Sequence, residues 1–279
     1  MANIGLINQL KVLRKTGVGF YLDGGEDGDI LFPYKYAGEQ LQVGDVVEVI
    51  VYLDHEERLI ATTEKPKALL NEFAYLEVVD VVAFGAFLDW GLTKQLFLPG
   101  GEMTKPVRKG DFVLVYIYLD EFSGRISSTT KLEKYVKKTT DQYAVGDEVD
   151  ILIWAETDLG YKVIVDFEYS GLLYRSEVFR LLLPGQEMKA YISKVREDGK
   201  IDLSLEQVGA SKLDDISQRV LDLLKNNEAA RQLNDKSSPD EIYAYTHMSK
   251  KNFKKALGIL YKAGKIDIHS SDGVIKIKS

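Results

Sequence analysis

A pattern of about sixty-five residues occurs three times along this chain, and a repeat of that size constrains the fold more than any local preference does. The second copy is the clearest. It runs Phe84-Gly85-Ala86-Phe87-Leu88-Asp89, then Gln95-Leu96-Phe97-Leu98-Pro99, then Gly110-Asp111 into Phe112-Val113-Leu114-Val115, and closes with Leu119-Asp120 and Gly124-Arg125-Ile126-Ser127. These segments read as a Gly-kinked strand, a short buried strand, a Gly-Asp turn into a long strand, and a last hairpin arm. The first copy repeats them as Val18-Gly19-Phe20-Tyr21-Leu22-Asp23, Asp29-Ile30-Leu31-Phe32-Pro33, Val43-Gly44-Asp45-Val46 and Arg58-Leu59-Ile60-Ala61. The third begins loosely at Leu159-Gly160-Tyr161-Lys162-Val163. It continues through Gly171-Leu172-Leu173-Tyr174-Arg175-Ser176-Glu177 and Gly185, and closes with Gly199-Lys200-Ile201-Asp202-Leu203-Ser204.

On these residues the repeat resembles the ribosomal-protein-S-one type of RNA-binding repeat, a five-stranded OB barrel. Three all-β barrels in tandem are therefore expected, over residues 1–66, 67–136 and 143–208.

After Gly209 the spacing changes. Leu213, Ile216, Val220, Leu223 and Leu224 share one helical face. A polar break from Asn226 to Ser237 follows. Ser238-Pro239-Asp240-Glu241 then combines a cap, a first-turn proline and a capping-box glutamate, predicting a short helix to about Thr246. Ser249 is placed to cap a third helix ending at Gly264. Phe253, Ala256, Leu257, Leu260 and Ala263 lie on one side of it; Lys250, Lys251, Lys254, Lys255 and Lys262 lie on the other, around Gly258. Alternation in Lys265-Ile266-Asp267-Ile268, the turn signal Asp272-Gly273 and alternation again to Ile277 predict a β-hairpin. Residues 210–279 thus resemble a winged helix, an α+β domain.

Three such barrels followed by one winged helix are similar to the conserved virulence factor B family, over nearly the whole chain. The resemblance implies an RNA-binding virulence regulator that acts post-transcriptionally. The S-one-type motif places aromatics at both ends of the Gly-Ala kink and a histidine in the next strand. Carried over, the second copy has Phe84 and Phe87, with Leu98 at the histidine position. The first has Val18, Tyr21 and Phe32, and the third Leu159, Lys162 and Tyr174. No copy carries the full set. Single-stranded nucleic acid is held by bases stacked on rings in a groove that follows the backbone, which gives Tyr21, Phe32, Phe84, Phe87, Lys162 and Tyr174 a role in RNA binding. Each ring also reads as an ordinary strand or core residue. Phe20 and Tyr21 are adjacent, so one of them faces inward. Trp90 and Trp154 read as packing residues. Lys131, Lys134, Lys137 and Lys138, with Tyr135 among them, read as a solvated linker helix before the third copy.

Charge decides where phosphate would be met. The formal net charge of the chain is −7. Residues 210–279 hold 13 Lys and Arg against 9 Asp and Glu, a balance of +4, and residues 1–209 hold 23 against 34, a balance of −11. Attraction to phosphate then falls mainly to Lys250, Lys251, Lys254, Lys255 and Lys262 and to local patches in the repeats. The same lysines also read as a solubilising face. The absence of cysteine removes thiol nucleophiles and disulfides and fits a reducing compartment. The residues after Met1 lack the features of a signal peptide, and no apolar run is long enough to span a membrane, so a cytoplasmic protein without membrane partners is expected.

No signature of catalysis is present. His55, His247 and His269 are far apart, and Gly24-Gly25 lacks the strand-to-helix context of a nucleotide loop. The sequence is thus read as a non-catalytic RNA-binding regulator without cofactor or metal, with single-stranded RNA as partner and other proteins as further candidates. The competing readings are a DNA-binding regulator acting through the winged helix, a protein-binding adaptor and a nuclease.

Overall fold

The computed structural model of the chain describes residues 2–38, 40–54, 56–175, 178, 181–205, 210–227, 229–234, 236–246, 248–268 and 275–278, with the backbone alone over 210–216. Each repeat is a closed five-stranded barrel with one common circuit. The first comprises β1 (Ile7–Lys15), β2 (Gly19–Asp23), β3 (Asp29–Pro33), β4 (Val46–Leu53) and β5 (Leu59–Thr62). The second comprises β6 (Phe73–Val82), β7 (Gly85–Asp89), β8 (Leu96–Pro99), β9 (Phe112–Leu119) and β10 (Ile126–Thr129). The third comprises β11 (Glu148–Thr157), β12 (Gly160–Val165), β13 (Tyr169–Tyr174), β14 (Glu187–Val195) and β15 (Ile201–Ser204). In each, the first strand pairs with the second and fourth, and the third and fifth strands close the barrel as a parallel pair.

The repeated glycines have two physical causes. Gly19, Gly85 and Gly160 begin the second strand opposite Pro33, Pro99 and Tyr174. A Cβ there would lie 2.3, 2.5 and 2.3 Å from the carbonyl oxygens of Phe32, Leu98 and Leu173, so no larger residue fits without moving the third strand. Gly44, Gly110 and Gly185 adopt φ of +98°, +88° and +82°, which favours glycine. Each donates its N–H at 2.8 Å to the first strand, at Val12, Val78 and Ile153. Immediately after those residues each first strand carries a β-bulge, at Leu13, Val79 and Trp154. The bulge adds twist and helps the strand close the barrel.

Alternation along the strands builds the cores. Val12, Phe20, Leu22, Ile30, Phe32, Val49 and Val51 fill the first barrel. Leu76, Val78, Leu88, Leu96, Leu98, Val115 and Ile117 fill the second. Ile151, Ile153, Val163, Leu173, Ile192 and Leu203 fill the third.

The C-terminal region contains α1 (Ala210–Asn226), α2 (Pro239–Thr246) and α3 (Lys250–Lys262), then the two-stranded β16 (Ile266–Ile268) and β17 (Ile275–Ile277). The capping box forms as its sequence predicts. Glu241 N–H donates to the Ser238 hydroxyl at 3.2 Å, and Ser238 N–H to the Glu241 carboxylate at 2.8 Å. Ser249 accepts from Asn252 N–H at 3.0 Å, and Gly264 ends the third helix at φ +71°. Val220, Leu224, Ile242, Phe253, Ala256, Leu257 and Leu260 form the core. Ala263, assigned to the apolar side by spacing, is exposed, because it is the C-cap and lies beyond the packed turns. The break after α1 is also more structured than its polar sequence predicts. A 3-10 turn over Ala229–Gln232 buries Ala230, and the Arg231 guanidinium donates to the Leu224 and Lys225 carbonyls that end α1. The hairpin turn at Asp272-Gly273 and the side chains of Leu213 and Ile216 lie outside the described residues.

The chain divides into two compact units, Met1–Tyr135 and Val136–Ser279. Within the first, the two barrels are not separate beads. Tyr52, at the end of β4, is 5% exposed and belongs to the second barrel's core cluster, with Ile60 packed against it. The Lys94 ammonium donates to the Leu53 carbonyl and, at 3.1 Å, to that of Asp54. Arg125 pairs with Glu57, and Thr93 donates its N–H and hydroxyl to Glu64 at 2.9 and 2.7 Å.

Candidate nucleic-acid interface

The second barrel carries the most developed site. β7 and β8 turn alternate residues outward, which places Phe87 and Phe97 opposite each other in register, ring centroids 5.3 Å apart. Phe84, in the turn before β7, is 69% exposed and adds a third ring 5.7 Å from Phe97. The three rings form one wall of a cleft of about 800 Å³. The remaining walls come from Lys94 and Gln95, from the β9–β10 loop through Asp120, Ser123 and Arg125, and from Tyr52, Leu53 and Asp54 of the first barrel. The second and third strands with the loop between the fourth and fifth are the ligand face of an OB barrel.

The cleft's charges are held in place. Burial lowers the Lys94 pKa, with nearby Arg125 adding to the effect. Hydrogen bonds from the Ser123 amide and hydroxyl hold the Asp120 carboxyl below its ordinary range. Partial burial opposes the same shift at Asp54, but hydrogen bonds from Arg58 and the Glu56 amide prevail. The arrangement offers stacking surface beside two cations, each also engaged by the first barrel, and two carboxylates.

On the first barrel, Phe20 is buried and Tyr21 faces out, as their adjacency requires. The Arg14 guanidinium lies 3.8 Å over the Tyr21 ring and hydrogen-bonds Asp29 at 3.0 and 3.1 Å. On the third barrel, the Lys162 ammonium lies 3.5 Å over the Trp154 indole. Tyr174 accepts a 2.6 Å hydrogen bond from Arg196, whose guanidinium also binds Asp202. In the C-terminal region Lys251, Lys254, Lys255 and Lys262 are exposed along α3, whereas Lys250 is partly buried and donates to the Ser237 carbonyl at 2.7 Å.

Three expectations require correction. Phe32 is 1% exposed and fills the first barrel's core, so it offers no ring to a base unless the barrel opens. It pairs with inward-facing Phe20, and Leu98 pairs with inward-facing Ala86 in the second barrel. The residues opposite the kink glycines are Pro33, Pro99 and Tyr174. Trp154 is not a core residue; it stands at the bulge, partly exposed, whereas Trp90 is buried with its indole N–H on the Lys94 carbonyl at 2.5 Å. The stretch from Lys131 is not a solvated helix. Its single 3-10 turn, Leu132–Lys134, is held down by buried Leu132 and by Tyr135 stacked 3.9 Å from Tyr116.

Two contributors were missed in the sequence. Phe97 was read only as a strand residue, although the alternation that buries Leu96 and Leu98 turns it outward. Arg125 was read as part of the closing hairpin. Among the described residues no three His, Asp or Glu side chains are gathered as metal ligands would be, and no helix is long and apolar enough to cross a membrane. All three histidines fall outside the described residues.

Comparison with known proteins gives the lineage. The S1 domain model matches residues 4–64 and 72–131, the first two barrels. The CvfB-like winged helix domain model matches residues 218–276. The uncharacterized protein YitL of Bacillus subtilis (strain 168) is 30% identical over 266 residues, covering 92% of this chain and 88% of that protein. A conserved virulence factor B of Staphylococcus epidermidis is 25% identical over 276 residues, covering 96% and 93%. A crystal structure of a multidomain protein with nucleic acid binding domains from Streptococcus pneumoniae aligns over 99% of this chain and 98% of its own, at 24% identity and a TM-score of 0.43. With S1-type barrels, a matching winged helix and relatives similar from end to end, the chain belongs to the conserved virulence factor B family.

Proposed function

We propose that this chain is a non-catalytic, RNA-binding regulatory protein, and that single-stranded RNA stacks its bases on the second barrel while phosphates are met by Arg125, Lys94 and the lysines of α3. The observation that carries the reading is the cleft in which Phe84, Phe87 and Phe97 converge beside two cations. Phe84 is 69% exposed, so its ring lies open to the cleft. Stacking is worth about 1–3 kcal/mol per base and tolerates any sequence, which fits a regulator that grips unstructured regions. The acidic balance of the barrels limits long-range attraction and shifts that role toward the C-terminal region.

The deciding experiment measures binding of a labelled oligouridylate and of duplex DNA to the full chain and to the Phe84→Ala/Phe87→Ala variant. The reading requires preference for the single strand and at least about a tenfold loss of affinity in the variant, on the scale of a stacked base or more, with the thermal transition retained. Preference for duplex DNA with no effect of the variant would support a winged-helix DNA regulator instead. Salt-insensitive association with protein alone would support an adaptor.

A further inference from the structure

The outer faces of the first and third barrels carry the same device with its parts exchanged. After the bulge, the first-strand residues Arg14 and Ala155 pair with Tyr21 and Lys162 of the second strand. In the second barrel the corresponding pair is Asp80 and Phe87. The first barrel thus sets its ring on the second strand and its cation on the first, Arg14 over Tyr21. The third barrel has Lys162 at the ring position, and an aromatic side chain stands instead at the bulge of the first strand, where the other barrels have Leu13 and Val79. That residue is Trp154, 3.5 Å beneath the Lys162 ammonium. A bulge re-aims the side chain it carries, and here it brings a partly exposed indole onto the face from which the family motif's aromatic is missing.

We propose that Trp154 is the base-stacking platform of the third barrel, with Lys162 as its phosphate partner, the ligand being one nucleotide of a single-stranded chain. This rests on the RNA-binding reading above. In the unbound protein Lys162 covers the indole. A base stacked on the indole gains more than a half-solvated ammonium over the same ring. The displaced ammonium then swings, on its flexible stem, to the adjoining phosphate. No covalent step is involved. The third barrel accordingly binds through its first and second strands, whereas the second barrel presents its rings on its second and third.

The chain has only two tryptophans, Trp90 and Trp154, so the test can be read at single sites. The full chain is labelled with fluorotryptophan, its two fluorine resonances are assigned with Trp154→Phe, and it is titrated with an oligouridylate while anisotropy reports binding. The Trp154 resonance should shift in step with saturation. Trp154→Ala should weaken affinity by about fivefold or more, as for one stacked base, and Trp154→Phe should retain most of it. Lys162→Gln should flatten the slope of log affinity against log salt by about 0.7, as one lost phosphate contact on a single strand. Circular dichroism confirms that each variant is folded; should Trp154→Ala unfold, the resonance shift and the Lys162→Gln slope decide. Binding with an unmoved Trp154 resonance and unchanged affinities would overturn this inference and leave the RNA-binding reading standing. No binding of any single strand would overturn both.

Discussion

Phe32 and Phe97 stand one register position apart on equivalent strands, and that single step separates a core residue from a surface ring. Strand side chains alternate with a period of two, so an alignment slipped by one residue sends every side chain to the wrong face. This is why Phe32 reads as a stacking residue in the sequence and Phe97 does not. The consequence for stability is large. Phe32→Ala should destabilise the first unit by about 3–5 kcal/mol, the usual cost of emptying a buried phenylalanine site. Phe84→Ala should change it by less than about 0.5 kcal/mol, as an exposed substitution does. Urea unfolding of the two variants checks this, and equal losses would contradict the burial argument. A second residue-scale effect concerns acid. A hydrogen bond from Lys67, then one from the Gly91 amide, lowers the Asp89 pKa. Its folded value therefore lies below the unfolded one of about 3.9. The stability it contributes is present above that value and is lost as pH falls through the lowered folded value. Asp89→Asn should flatten the acid limb of the stability curve below about pH 4, by a small amount because both side chains are partly solvated. Superimposable acid limbs for variant and parent would show that the pair contributes nothing.

At the scale of elements, the kink glycine belongs to a strand–strand contact. Gly85→Ala would place a methyl 2.5 Å from the Leu98 carbonyl oxygen and 2.6 Å from the Phe97 ring. The carbonyl belongs to a paired strand and cannot turn aside, so the second barrel should lose about 1–3 kcal/mol, as overpacked sites do. Phe97 should also be displaced from the stacking face, weakening RNA binding beyond the stability loss. Calorimetry with a parallel binding titration tests both; a variant of full stability would mean that the strand pair adapts. The third helix supplies the other prediction at this scale. Its caps and the packed part of its apolar face follow from sequence signals alone, and Lys251, Lys254, Lys255 and Lys262 face outward. Changing Lys251, Lys254 and Lys255 to Gln should flatten the salt slope of RNA binding by about two units if all three meet phosphate. Helix stability should hold, since Gln forms helix nearly as well as Lys. Parallel slopes would assign this face to solubility.

For the whole molecule, the sequence reads as four separate modules, three barrels and a winged helix. The first two barrels instead form one compact unit. Tyr52 is buried in the neighbour's core cluster, and the Lys94, Arg125 and Thr93 contacts cross the seam. A barrel of about sixty residues is marginal alone because it buries too small a share of its surface. Residues 1–135 should therefore unfold in one cooperative thermal transition, and residues 1–66 alone should be markedly less stable. Two separable transitions in the longer fragment would show that the seam is weak. A fused pair also places the first barrel's Leu53 and Asp54 at a set position on the second barrel's cleft, so a single strand bound as proposed would meet both barrels at one site.

The number and kind of barrels, the helix caps and the basic face of α3 were all legible in the sequence. Each depends on local rules: a glycine where a turn needs positive φ, alternation with period two, and a serine placed to accept from an exposed N–H. Three features were settled only by tertiary structure. Phe97 joins Phe84 and Phe87 because β7 and β8 pair in one register among several that the sequence permits. Trp154 reaches the surface because the Gly185 turn holds β11 in a bulge. The two barrels share a cleft because Tyr52, an ordinary strand tyrosine in the sequence, finds its burial in the neighbouring barrel. Registers, bulges and seams are set by contacts between residues distant along the chain, and no local pattern encodes the partner that a side chain will meet.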